Sequence, residues 1–322
     1  MDKVAFIFPG QGSQFVGMGQ ALAAASPAAM AVFQAANEAL GEDVADLAWA
    51  GPEETLNLTQ NAQPALLATS IAYLEAIRER WARDGVTAPL PAFMAGHSMG
   101  QYSAMVGAGV ISLSDGIRLV RERGRLMQSS GDARDGAMAA IIGLDDAAIP
   151  ELVAQASAHG TFGVANRNAP GQVVVSGERA AIEAGAEIAR TLGAKRAIIL
   201  PVSVAAHSPL MAGAATAMRE VLADIAFSDP IVPLLANADA TVLDTAEACR
   251  RELVAHLTAG VDWVRAVESM VGAGVNAFIE VGPGRVLTGL TKRISDQAVT
   301  YATDDPAAPD RLAVPNLSPD PA

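Results

Sequence analysis

Short apolar runs alternate along the chain with longer stretches whose apolar residues recur at helical spacing, the rhythm of strands joined by crossover helices. Val4-Ala5-Phe6-Ile7-Phe8 opens the series as a strand. Helices are expected at about 15 to 24, 27 to 40 and 61 to 84, the last with Leu66, Leu67, Ile71, Leu74 and Ile77 at helical spacing. Gln63-Pro64 falls near its start, where proline is tolerated. Ala92-Phe93-Met94-Ala95 forms the next strand. Ser112-Leu113-Ser114-Asp115 resembles a capping box, with Asp in place of Glu, and opens a helix to about 130.

From 131 the rhythm changes. A strand at 137 to 143, a helix at 146 to 158, strands near 161 to 167 and 172 to 176, a helix at 179 to 192 and a strand at 196 to 200 follow one another. That β-α-β-β-α-β order is ferredoxin-like, so 131–201 is expected to be a small subdomain inserted between 1–130 and 202–302 of a larger α/β domain. Asn168-Ala169-Pro170-Gly171 supplies its hairpin turn. The second part offers a helix at 209 to 224, a strand Ile231 to Ala236, helices near 245 to 258 and 261 to 273, and a strand Ala277 to Val281. A turn at Gly282-Pro283-Gly284 leads into a last helix to about Ser295. Residues 303–322 hold five prolines and few large apolar groups, and are expected to be a disordered tail.

Composition narrows the class. With 322 residues, 51% of them hydrophobic, the chain buries a sizeable core. A net charge of −13 argues against nucleic acid and anionic membrane as partners. Cys249 is the single cysteine, which excludes an internal disulfide framework and suits a reducing cytoplasm. No leader-like stretch precedes the first strand, and no apolar run reaches the length of a membrane span.

The chemistry centres on Gly96-His97-Ser98-Met99-Gly100, placed between a strand and a run of small helix-compatible residues as a nucleophile elbow requires. Ser98 is the candidate nucleophile, and the amide of Met99, at the start of the helix, is a candidate oxyanion donor. The loop Pro9-Gly10-Gln11-Gly12-Ser13-Gln14 lacks a following Gly-Lys-Ser/Thr, so its amides fit an oxyanion hole better than a phosphate cradle. On the helix after Ser112, Leu119, Val120, Leu126 and Met127 form an apolar stripe with Arg123 in its middle, while Arg118, Arg121 and Arg125 cluster opposite as solvated charges. A guanidinium in such a stripe is either half of a buried ion pair or a clamp for a substrate carboxylate. For a base there are four histidines. His97 adjoins the serine and points elsewhere, His159 lies at a helix end in the insert, and His207 in a main-domain loop is favoured over His256.

Phe8 to Gln14, Gln63-Pro64-Ala65, Gly96 to Gly100, Arg123-Gly124, Asn166 with Gly171-Gln172-Val173, Pro201 to His207 and Glu280 to Gly284 together resemble the malonyl-CoA:acyl-carrier-protein transacylase family. The resemblance covers nearly the whole chain before residue 300. It implies an α/β-hydrolase-like main domain with the ferredoxin-like insert, Ser98 as the acylated residue, His207 as base, and Arg123 on the malonyl carboxylate. It also implies the Gln11 amide in the oxyanion hole beside Met99, Gln63 and Asn166 as substrate-binding residues, and His256 as the residue whose main-chain carbonyl orients the base. Two positions depart from the family pattern: Gln101 stands where Glu is common, and His256 where Gln is common.

The implied activity is ping-pong malonyl transfer in fatty acid biosynthesis, or in the related polyketide assembly, with malonyl-CoA and acyl carrier protein as partners. No cofactor or metal is expected, and the enzyme is expected to be a monomer. An acidic carrier approaching this acidic chain calls for a local basic surface, for which Lys195, Arg196, Lys292 and Arg293 are candidates. The competing readings are a serine esterase or thioesterase, which would want an acid behind its base and has no use for Arg123, and a non-catalytic carrier-protein-binding subunit.

Overall fold

β1 (Val4–Phe8) is apolar and buried at every position, as a strand covered on both faces must be. A computed structural model describes residues 3–304 except 86, 88, 89, 134 and 203. After β1 come α1 (Gln20–Ala25), α2 (Pro27–Leu40), α3 (Val44–Ala50), α4 (Glu53–Leu56), α5 (Thr59–Arg83), β2 (Phe93–Gly96), α6 (Gly100–Gly107) and α7 (Leu113–Ala133). Next are β3 (Gly136–Ile142), α8 (Ile149–Ala156), β4 (Phe162–Ala169), β5 (Gln172–Glu178), α9 (Arg179–Thr191) and β6 (Arg196–Ile199). The remainder is α10 (Ala212–Ala223), β7 (Leu234–Leu235), β8 (Val242–Leu243), α11 (Ala246–Ala255), β9 (Val261–Asp262), α12 (Trp263–Gly272), β10 (Ala277–Glu280), α13 (Val286–Ile294) and β11 (Val299–Ala302).

These elements make a mixed α/β protein with two sheets. The six-stranded sheet runs β11-β10-β1-β2-β7-β8, parallel throughout except for β8 at one edge. The alternation of side chains along β1 builds both faces. Phe6 and Phe8 join Leu66, Leu67 and Met105 of the helices on one side, whereas Ala5 and Ile7 meet Trp263, Val267 and Leu287 on the other. The five-stranded sheet runs β6-β3-β5-β4-β9, with β3 antiparallel to β5 and β6, and β4 antiparallel to β5. Packed on Ala139, Ile141, Val173 and Val175 of this sheet are Leu152 of α8 and Ile182 of α9.

Several boundaries differ from those read in the sequence. The helix expected at 15 to 24 starts only at Gln20, because Gly17 and Gly19 take φ of 101° and 75° and turn the chain before it can wind. Pro64 stands inside α5 beyond its first turn. The strand expected at Ile231 to Ala236 shrinks to Leu234–Leu235, since Pro230 and Pro233 lack the amide hydrogens a longer ladder needs. α3, α4, β8 and β11 have no counterpart among the expected elements, and the helix expected from 261 starts only at Trp263, because Val261–Asp262 pairs with β4 as β9. The insert is not closed on itself: β9, from the later part of the chain, pairs in parallel with β4 through Asn166 and Val261.

Thr303, placed with the tail by its sequence, is buried and donates its amide to the Glu280 carbonyl at 3.0 Å. The rest of that expected tail, 305–322, lies outside the described residues. Among the described residues no helix is long and apolar enough to cross a membrane.

Candidate active site

The strand β2 ends in a turn too tight for side chains at its flanks. A Cβ on Gly96 would sit 2.0 Å from the Gly100 carbonyl carbon, and one on Gly100 would sit 2.2 Å from the Phe8 oxygen. Between them Ser98 is held at φ 52°, a left-handed conformation that an L side chain adopts only when its surroundings impose it. The Gly100 amide donates to the His97 carbonyl at 2.9 Å and that of Gln101 to the Ser98 carbonyl at 3.1 Å, closing the turn into α6.

Gln101, fully buried, accepts from the Gly96 amide at 3.2 Å and donates to the Leu235 carbonyl at 3.0 Å. A glutamate carboxylate could make only the first of these bonds, so the departure at 101 braces β2 against β7.

His207 is also at positive φ, 58°. Its Nε2 lies 2.8 Å from the Ser98 Oγ, and its Nδ1 lies 2.6 Å from the His256 carbonyl and 3.0 Å from that of Ala259. Carbonyl oxygens only accept, so Nδ1 carries the ring proton and Nε2 presents a lone pair to the serine hydroxyl. Burial, and then the charge of Arg123, pull the His207 pKa from 6.5 down to about 4, which keeps the ring neutral.

The His256 imidazole is fully buried, with neither ring nitrogen bonded to a protein group, and packs edge-on against Tyr102 at 5.8 Å between centroids. Burial holds its pKa well below 6.5. Among the described residues no carboxylate bonds to the His207 ring; Glu252, one turn before His256, bonds instead to the Asn237 amide.

Arg123 is 1% exposed. Its Nη2 donates to the Ser98 Oγ at 3.2 Å, its carbon Cζ lies 5.8 Å from the centre of the Tyr102 ring, and its Nε has no partner. Among the described residues no carboxylate lies within ion-pair distance of it, and this removes the structural ion pair left open by the sequence. A buried guanidinium beside a nucleophile, with an unused donor, is arranged to receive an anion. Of the arginines expected to be solvated, Arg118 and Arg125 are exposed, but Arg121 is half-buried in an ion pair with Glu42 at 2.8 Å.

Ser98, His207, Arg123 and the His256 carbonyl are thus brought together. The Met99 amide, at the head of α6, and the Gln11 amide donate to no protein acceptor among the described residues. The Gln11 loop abuts the elbow, because a Cβ on Gly10 would stand 2.5 Å from the His97 oxygen.

Gln63 and Asn166 hydrogen-bond to none of Ser98, His207 or Arg123. Gln63 is fully buried against Met127 with its Oε1 unpartnered. His97 leaves the elbow toward the insert, with Nε2 at 2.8 Å from the Asn168 Oδ1; the Asn166 amide lies 3.4 Å away and its Oδ1 is unpartnered.

One contact had no counterpart in the sequence reading. Asn237 accepts the Ser98 amide on its Oδ1 at 2.9 Å. The available signal was an Asn just past an apolar run, in Leu234-Leu235-Ala236-Asn237, but nothing local ties it to a serine 139 positions away. A cavity of about 400 Å3 between Leu22, Tyr73, Ala76 and Asp304 contains none of the reactive residues.

The chain matches the acyl transferase domain family over residues 5–320. It is similar to the malonyl CoA-acyl carrier protein transacylase of Escherichia coli strain K12, 46% identical over 308 residues that cover 96% of this chain and 98% of the relative. Among solved structures it superposes on an acyl carrier protein S-malonyltransferase from Vibrio cholerae with a TM-score of 0.90 at 44% identity, covering 96% and 99% of the two chains. It also superposes on the malonyl-transacylase bound to its type II polyketide-synthase acyl-carrier protein, with a TM-score of 0.90 at 43% identity, covering 97% and 99%.

Proposed function

The chain belongs to the malonyl-CoA:acyl-carrier-protein transacylase family of acyl transferase domains, and we propose that it works through a malonyl ester on Ser98. It is an acyltransferase that moves the malonyl group from malonyl-CoA to acyl carrier protein. The observation that carries the mechanism is the buried Arg123 guanidinium 3.2 Å from the Ser98 Oγ with no acidic partner among the described residues, which suits an acyl group bearing its own carboxylate.

In the first half-reaction His207 Nε2 takes the Ser98 proton as Oγ attacks the thioester carbonyl. The Met99 and Gln11 amides face the oxyanion; the C–S bond then breaks, and the proton passes from His207 to the CoA thiolate. In the second, the phosphopantetheine thiol of the carrier gives its proton to His207 and attacks the ester carbonyl. The ester C–O bond breaks and Ser98 recovers the proton. Arg123 holds the carboxylate through both, and Gln63 and Asn166 are read as further substrate-binding residues. His256 serves through its carbonyl, which fixes the His207 tautomer.

Incubation with malonyl-CoA is expected to add one malonyl mass to Ser98 and to release it to carrier protein, whereas Ser98→Ala folds and takes no label. Label on another residue would refute the assignment. A serine esterase is disfavoured because main-chain carbonyls, not an acid, orient the base.

The larger sheet with its flanking helices is read as the α/β-hydrolase-like domain, 1–130 and 202–302, and 131–201 as a ferredoxin-like insert. Supporting this, the inserted strands lie in the spatial order fourth, first, third, second. The enzyme is taken as a cytoplasmic monomer. Its lone Cys249, buried and with its pKa pushed up to about 12 by burial, fits a reducing compartment.

A further inference from the structure

Among the described residues three non-glycine positions take positive φ: Ser98 at 52°, His207 at 58° and Ala240 at 57°. Two of them are the nucleophile and its base. The third lies in the turn between β7 and β8, closed by the Ala236 amide on Thr241 at 2.9 Å and the Ala240 amide on Ala236 at 3.1 Å. That turn carries Asn237, the residue whose side chain accepts the Ser98 amide. Strained backbone persists only where neighbours over-determine it, so its recurrence in the segment that grips the nucleophile marks a rigid support.

Asn237 is itself fixed at each polar group of its main chain. Its amide donates to the Glu252 Oε1 at 2.8 Å and its carbonyl accepts from Asp262 at 2.7 Å; the residue is 4% exposed. Glu252 in turn accepts on its main-chain oxygen the amide of His256 at 3.0 Å, and the His256 carbonyl holds the Nδ1 of the base. One continuous set of bonds therefore runs from the Ser98 amide through Asn237 and Glu252 to His207.

We propose that Asn237 is a positioning residue for acyl transfer, holding the Ser98 amide so that the hydroxyl stays aimed at His207 and the Met99 amide, rather than that of Ser98, is left for the oxyanion. The inference rests on the assignment of Ser98 as the acylated residue. Because Asn237 is buried and its side-chain oxygen is spent on the Ser98 amide, its loss should slow the chemical step and leave malonyl-CoA binding unchanged.

The test is rapid-mix acylation by malonyl-CoA, read by mass as a function of substrate concentration, for wild type, Asn237→Leu, Asn237→Asp and Asn237→Ser. Leu matches the shape but offers no acceptor; Asp keeps an acceptor oxygen at the same reach, and Ser carries one too short to arrive. The limiting acylation rate is expected to fall about 30-fold or more in Asn237→Leu, with the half-saturating concentration within about threefold and Asp retaining a rate within about tenfold of wild type.

If Asn237→Leu does not fold, Asp must still exceed Ser by about tenfold in rate at equal saturation. An unslowed Leu variant, Asp no better than Leu or Ser, or a loss confined to half-saturation overturns the role. Failure of the wild type to label Ser98 would refute the transfer mechanism itself, a different result.

Discussion

At the scale of single residues, the proposed mechanism turns on Arg123, which would hold the acyl carboxylate and which acts on His207. Its burial would be costly for an isolated cation, and among the described residues it donates to the Ser98 hydroxyl and forms no ion pair with an acid. The same charge, after burial, lowers the pKa of His207 to about 4. A histidine shifted down stays neutral to lower pH, so base activity is lost only as pH falls through the shifted value.

The acid limb of kcat/KM for serine acylation is therefore expected near pH 4 in wild type rather than near 6.5. It should move upward in Arg123→Ala, assayed with acetyl-CoA so that the missing carboxylate contact does not intrude. An acid limb already near 6.5 in wild type would refute a base held neutral by burial and the Arg123 charge. The sign for folding is the same: between 6.5 and about 4 the unfolded chain binds this proton and the folded chain does not, so acid withdraws stability in that window.

At the scale of elements, the placement of Arg123 depends on how closely α7 approaches α5. Gly124 makes that approach possible, since a Cβ there would stand 2.5 Å from the Cα of Gln60 and 2.8 Å from the Thr59 oxygen. Gly124→Ala must part the two helices and carry Arg123 with it. Overpacking of this kind costs about 1–3 kcal/mol, and the half-saturating malonyl-CoA concentration is expected to rise about tenfold, more than that for acetyl-CoA. Thermal melts and the two saturation curves check this; equal effects on both acyl groups would place the damage elsewhere.

What the sequence disclosed follows the length of each signal. β1, α5 and the strand order of the insert stood out because their patterns persist for several residues. The strand holding β7 was legible as an apolar run, but its partner β8 is two residues long and carries no period, so the turn between them that bears Asn237 stayed invisible. Ser98 and Met99 were legible from a local steric requirement. Arg123 was conspicuous as a charge in an apolar stripe, but its freedom from an acid is a fact of packing. The choice of His207 over His256 was underdetermined by spacing, for the two rings lie 6.2 Å apart and only orientation gives one of them the serine.

At the scale of the whole molecule, the two sheets are joined beside the reactive serine. His97 reaches Asn168 on β4, β9 extends the inserted sheet, and Arg293 on α13 donates to Gln172 and, at 3.1 Å, to the Pro170 carbonyl. Arg293, proposed from sequence as a docking residue, is thus also a strut. Gln172 and Arg196 both pair with Ile142, so Arg196 lies two strands from that strut, about 10 Å across the sheet, with exposed Lys195 adjoining it. Lys195, Arg196 and Arg293 thus lie on one end of the inserted sheet, the candidate docking surface of a chain of net charge −13.

Charge reversal at Lys195 and Arg196 is expected to raise the KM for carrier protein about tenfold with serine acylation by malonyl-CoA unchanged, because only the second half-reaction uses the surface. Equal loss in both halves would assign these residues to structure instead.

The most direct test of a serine acyltransferase selective through a buried arginine is the ratio of kcat/KM for malonyl-CoA over acetyl-CoA, measured in wild type and Arg123→Ala with folding checked by thermal melt. Leaving the substrate carboxylate buried and unpaired costs on the order of 2 to 5 kcal/mol, so malonyl transfer should fall about 30-fold or more. Acetyl transfer should hold or rise, since it has no carboxylate to strand, and the ratio should collapse. An unchanged ratio together with a large loss of stability would make Arg123 a structural residue and contradict the mechanism.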